Sequence, residues 1–211
     1  MSSQISRRNI LKLGVGAVAV SMVGLDGVIG SRPVEAAAVS DIDILNFALT
    51  LEHLEATFYE EGLIKFTKHS DFAFLARVIG GQLADSALER FENIRAHERT
   101  HVDTLISVIK SLGGTPVTKC TYNFGYTDAV GFVKVAQALE NTGVMAYDGA
   151  IALIQNPNLR TAGATIATVE ARHASYLNLI RGDDPFPSAF DTPKTMAQIL
   201  AIAGQFIVSC P

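Results

Sequence analysis

Four long stretches of the chain place apolar residues at helical period. The first is residues 41–63, "DIDILNFALTLEHLEATFYEEGL", with Ser40 or Asp41 as cap and Gly62 as a stop. The second runs from about Gln82 to Leu112 and ends at Gly113-Gly114. The third begins near Thr127-Asp128 and runs to about Gln155, before Asn156-Pro157. The fourth runs from about Arg160 to Ile180 and ends at Arg181-Gly182. A shorter C-terminal helix is predicted in "TPKTMAQILAIAGQFIV", with Thr192 as cap and Pro193 in the first helical position. Residues 65–80 read as a short helix and loop. Convincing strand alternation is absent. The one β-leaning piece, "TPVTKCTYNFGYT" at 115–127, joins helices two and three. The pattern predicts an all-α fold: a four-helix bundle with a long crossover between helices two and three, plus a short C-terminal helix.

Acids interrupt the apolar runs. Glu52 closes "NFALTLE", Glu140 closes "VAQALE" and Glu170 closes "GATIATVE". Acids in such positions need an explanation. An internal repeat supplies one. Helix two contains Glu98-x-x-His101 and helix four contains Glu170-x-x-His173. Aligning these pairs sets Ile94 on Ile166 and Leu105 on Leu177. Aligning helix one with helix three sets Ala48 on Ala136, Leu51 on Leu139, Glu52 on Glu140 and Tyr59 on Tyr147. Residues three apart lie on one helical face, so each Glu–His pair can point at a common centre. The set is four carboxylates and two imidazoles. Four buried carboxylates repel one another and are costly to desolvate, and two divalent cations would compensate them. Oxygen and nitrogen donors without thiolate suit Fe or Mn.

The stretch "HERTH", residues 97–101, admits another reading. As H-E-x-x-H it is a zinc-peptidase helix, with His97 and His101 on the metal and Glu98 as base. The extended form fails, because Thr104 and Ser107 stand where Gly and the third His belong. Such a peptidase also lays its substrate along a sheet edge, and the pattern offers no sheet. In the repeat-based reading His97 is a satisfied or surface histidine, or at most an accessory ligand. His53 and His69 read as exposed. Glu55 competes with Glu52 for the ligand role, and the repeat favours Glu52 because Glu55 aligns with Gly143.

The first residues change the picture of where the protein works. Ser6-Arg7-Arg8-Asn9-Ile10-Leu11-Lys12 is similar to the twin-arginine export signal, with Ile10 in place of Phe. An apolar, Gly-rich run and Ala36-Ala37-Ala38 follow. This order predicts a cleaved signal over 1–38 and a mature domain over 39–211. Asp26 and several glycines interrupt the run, which argues against a lasting membrane anchor. Cleavage would leave 13 Lys+Arg against 19 Asp+Glu. That balance disfavours nucleic-acid binding. The expected partners are the export machinery and a small oxidant, in a periplasmic or extracellular setting. Cys120 and Cys210 are the only cysteines. An oxidising compartment makes a disulfide between them plausible, and two free thiols remain the alternative.

The double E-x-x-H, with Glu-x6-Tyr on the other two helices, resembles the ferritin-like superfamily. Residues 41–63, the segment "DDPFPSAFDTPKT" and the terminal Cys-Pro resemble, more closely, the ferritin-like proteins of plant desiccation and fungal stress responses. The resemblance covers about residues 40–211. It implies that Glu98 and Glu170 bridge two metals, that Glu52 and Glu140 are terminal ligands, and that His101 and His173 serve one ion each. It also implies that Tyr59 and Tyr147 hydrogen-bond the ligands. The expected function is redox chemistry on peroxide or dioxygen linked to stress protection. The alternative is a non-catalytic metal-binding or structural protective bundle.

Overall fold

The structure is a computed structural model that describes residues 39–211. The export signal expected over residues 1–38 lies outside the described residues. Four long helices form the body: α1 (Asp41–Lys65), α4 (Ala87–Ser111), α5 (Ala129–Ile151) and α6 (Pro157–Arg181). A 3₁₀ turn (His69–Leu75) and two short helices, α2 (Ala76–Ile79) and α3 (Gly81–Asp85), link α1 to α4. Helix α7 (Met196–Ala203) follows the bundle. Two short strands, β1 (Thr121–Tyr122) and β2 (Ile207–Ser209), pair antiparallel. Helix α1 packs chiefly on α4 and α5 on α6, and the two pairs meet through α1 and α5. The all-α bundle with its long crossover is therefore the observed fold. Among the described residues no helix is long and apolar enough to cross a membrane.

Local chemistry explains the ends. Ser40 caps α1 in a box with Asp43: its hydroxyl accepts from the Asp43 N–H while the Asp43 carboxylate accepts from the Ser40 N–H. Asp41 is free to accept from the N–H groups of Gln155 and Asn156, tying α1 to the α5–α6 turn. Asp128 caps α5, Asn156 caps α6 with Pro157 behind it, and Gly182 ends α6 at φ 85°.

Several boundaries differ from the expectation: α5 ends at Ile151 rather than near Gln155, α6 begins at Pro157 rather than near Arg160, and three others have a visible cause. Gly62 does not stop α1, which continues to Lys65. A Cβ there would lie 2.1 Å from the Phe132 ring, so the glycine permits close helix packing. Helix two is broken: Ser86, at ψ 2°, separates α3 from α4. The C-terminal helix starts at Met196, not Pro193. Thr195 forms a capping box with Gln198, while the Lys194 N–H donates to the Met145 carbonyl. That contact holds residue 194 against α5, where Gly149 leaves room for the Lys194 carbonyl.

The crossover from α4 to α5 is pinned at both ends. The Asn46 amide donates to the Thr115 carbonyl and its oxygen accepts from the Val117 N–H. Further on, β1 pairs with β2, and a disulfide joins Cys120 to Cys210. A block of aromatic rings (Phe58, Phe72, Phe91, Phe132) fills one half of the core.

Candidate metal centre

Each long helix presents its acid to the bundle axis. Glu52, Glu98, Glu140 and Glu170 are fully buried, and His101 and His173 retain only 8% and 5% exposure. All six residues predicted from the repeat come together. They form two overlapping sets: Glu52, Glu98, His101 and Glu170, and then Glu98, Glu140, Glu170 and His173. Within each set one donor atom per residue lies within 4.8 Å of every other. Glu98 and Glu170 belong to both, the two acids the resemblance makes bridging.

The imidazoles point their Nδ1 atoms inward. His101 Nδ1 lies 3.2 Å from Glu52 Oε2, 3.3 Å from Glu98 Oε2 and 3.2 Å from Glu170 Oε1. His173 Nδ1 lies 3.1 Å from both Glu98 Oε1 and Glu140 Oε2. One ring nitrogen has a single in-plane direction and cannot serve several carboxylates. Glu98 Oε1 and both Glu170 oxygens are left without a hydrogen bond although fully buried. Orphaned buried carboxylate oxygens cost free energy unless a cation meets them. The donor set thus fits divalent metal ions, and Glu98 and Glu170 are available to both four-residue groups.

The outer acids are steered from behind. The Tyr59 hydroxyl donates to Glu140 Oε1 at 2.6 Å, and the Tyr147 hydroxyl donates to Glu52 Oε1. Each bond occupies one carboxylate oxygen and leaves the other facing an imidazole. Burial, then the neighbouring carboxylates, hold both phenols well above their ordinary range.

Crowding sorts the charges of the metal-free cluster. Burial raises Glu52 to about 7, against the opposing hydrogen bond from His101. Burial, with Glu98 and Glu140 beside it, drives Glu170 well up. In Glu98 the burial penalty is outweighed by the two imidazoles, which hold it at about 2. Burial depresses the imidazoles but the carboxylates prevail: His101 is pushed up to about 12, with Glu170 first among the causes, and His173 to about 9, with Glu140 first. Without metal, protons stand in for cations.

His97 lies outside both sets. Its Nδ1 is 2.9 Å from His173 Nε2, on the far side of that ring from the carboxylates. A zinc helix would need His97 and His101 on one centre with Glu98 outside it. Here Glu98 is inside both sets and His97 braces His173. His53, expected to be exposed, is half-buried with Nε2 3.2 Å from the Val117 carbonyl.

Glu55 is the residue the repeat undervalued. It is buried, and burial and four neighbouring glutamates, Glu170 first, hold it far above its usual range. A Cβ at Gly143 would lie 3.2 Å from Glu55 Oε1 and 3.0 Å from Glu170 Oε2. The glycine that removed Glu55 from the alignment is thus what makes room for its carboxylate. Glu55 nevertheless belongs to neither four-residue set.

A family model described as "Ferritin-like domain" matches residues 40–183. That span holds all four long helices and all six cluster residues, and the chain belongs to this family. Among curated proteins, none matches the chain.

Proposed function

We propose that this chain is an exported, ferritin-like di-metal carboxylate protein that carries out redox chemistry on peroxide or dioxygen and protects against stress. The orphaned oxygens of Glu98 and Glu170 support the metal reading most directly. Glu52 and His101 would hold one ion, Glu140 and His173 the other, with Glu98 and Glu170 shared. Two such ions, Fe or Mn, can exchange two electrons with an oxidant in one encounter. The chain's part is to keep six donors in place on rigid helices, to hold the outer acids through Tyr59 and Tyr147, and to exclude bulk water. Elemental analysis of protein from its native compartment tests the metal. Substoichiometric metal, or zinc alone, would count against the reading.

A second reading, a non-catalytic metal-holding bundle, is favoured by the enclosure of all six donors. Turnover of H₂O₂ by the metal-loaded protein separates the two. The export reading rests on Arg7 and Arg8, whose replacement by Lys is expected to leave unprocessed precursor in the cytoplasm. Normal processing of that double variant would point to another route.

A further inference from the structure

The two halves of the chain differ in one telling place. The pairs Glu52/Glu140 and Glu98/Glu170 set offsets of 88 and 72 residues. Those offsets match Ala48 with Ala136, Leu105 with Leu177, Ile166 with Ile94 and Tyr147 with Tyr59, so the layers flanking the cluster are chemically alike. Further from the cluster the likeness ends. Phe91 is matched by Gly163, and Phe132 by Ile44. On the Tyr59 side the rings of Phe91 and Phe132 are fully buried, 5.3 Å apart, with Phe72 packed on both. On the Tyr147 side those two rings are missing, and a cavity of ≈ 40 Å³ remains between all four helices.

Its lining is almost wholly apolar and includes Ile44, Ala48, Leu105, Tyr147, Gly163 and Ile166. Ala48, Leu105 and Ile166 stand one helical turn from Glu52, His101 and Glu170. Tyr147 forms a wall, and its hydroxyl is committed to Glu52. The cavity is therefore the layer next to the cluster. Thr104 and Ala162 also line it and are exposed, so it reaches the surface between α4 and α6.

We propose that this cavity binds dioxygen and admits it to the centre. A buried water needs two to four polar partners, and hydrogen peroxide likewise needs hydrogen bonds that these walls do not supply. An apolar void favours an uncharged, apolar occupant instead. A void of this size suits a diatomic gas and excludes an organic substrate, since one water needs about 10–15 Å³ on the same measure. The gas site stands on the cavity alone. What the gas does there rests on the redox reading above, which it narrows from peroxide or dioxygen to dioxygen.

Xenon is the test ligand. Crystals of the purified mature protein under xenon pressure are expected to show a xenon peak between Tyr147 and Ile166, with or without metal. No peak there would overturn the proposal while leaving the metal reading intact. Ile44→Phe restores the ring found at the matching position of the other half, and Ala162→Leu covers the exposed rim without touching the core. Both are expected to lose the peak and to slow oxidation of the reduced, metal-loaded protein by dioxygen about tenfold. Oxidation by H₂O₂ should keep its rate. Equal slowing by both oxidants, or unchanged dioxygen oxidation after the peak is lost, would sink the entry role. If protein from its native compartment proves to hold no redox metal, the proposed function falls, while a xenon peak in that protein leaves the gas site standing.

Discussion

Glu98 and Glu170 each sit three residues before a histidine, and that spacing alone puts both donors on one helical face. What spacing could not reveal is the partner each donor acquires from other helices. His97 is the instructive residue. It has the right offset for a zinc ligand, yet its neighbour is the ring of His173. His97→Ala should therefore keep two ions per chain at saturating metal, while affinity on the His173 side falls about 10–100-fold as the brace is lost. Glu170→Ala should lose at least one ion, because both sets lose a donor. Elemental analysis of the two purified variants decides. Full retention in Glu170→Ala with loss in His97→Ala would restore the zinc helix.

Among the elements, the four long helices were legible because each carries many turns of apolar period, and the six cluster residues because the repeat doubles the signal. One misreading falls where a distant segment decides a local outcome, and another where two local signals compete. Gly62 reads as a stop from sequence, but Phe132 arrives from α5 to pack on it. Gly62→Ala should thus cost about 1–3 kcal/mol through overpacking, despite the better helix propensity of alanine. Urea unfolding would measure it, and a gain in stability would mean that the ring moves aside freely. Thr195 was the better cap from sequence, since Thr-x-x-Gln is a capping box. Pro193 drew the start three residues too early because a proline at the first helical position is also favoured. Strands β1 and β2 are too short to announce themselves, and each exists because the other lies beside it.

At the scale of the molecule, the terminal segment and the crossover stabilise each other, and the cluster sets how the whole responds to pH. The disulfide closes a loop of sequence separation 90. In the chain-entropy model its reduction should cost about 4–5 kcal/mol, readable as a lower denaturant midpoint, and two free thiols in the purified protein would remove the effect altogether. The pH response has a definite sign. In metal-free protein His173 rises from 6.5 to about 9 and His101 to about 12, while Glu52 rises from 4.5 to about 7. Each group binds its proton more tightly folded than unfolded. Its stabilising contribution is complete below the unfolded value and is lost as pH climbs through the folded one. Glu98, held at about 2, acts the other way, but only below its unfolded value of 4.5. Metal-free protein should therefore lose thermal stability steadily from pH 6 to 9. Metal displaces those protons, so affinity rises over the same range, and the loaded protein should hold or gain stability where the metal-free protein declines. Melting temperatures of both forms at pH 6, 7, 8 and 9 provide the check. Parallel curves would mean that the cluster carries no protons for a cation to displace.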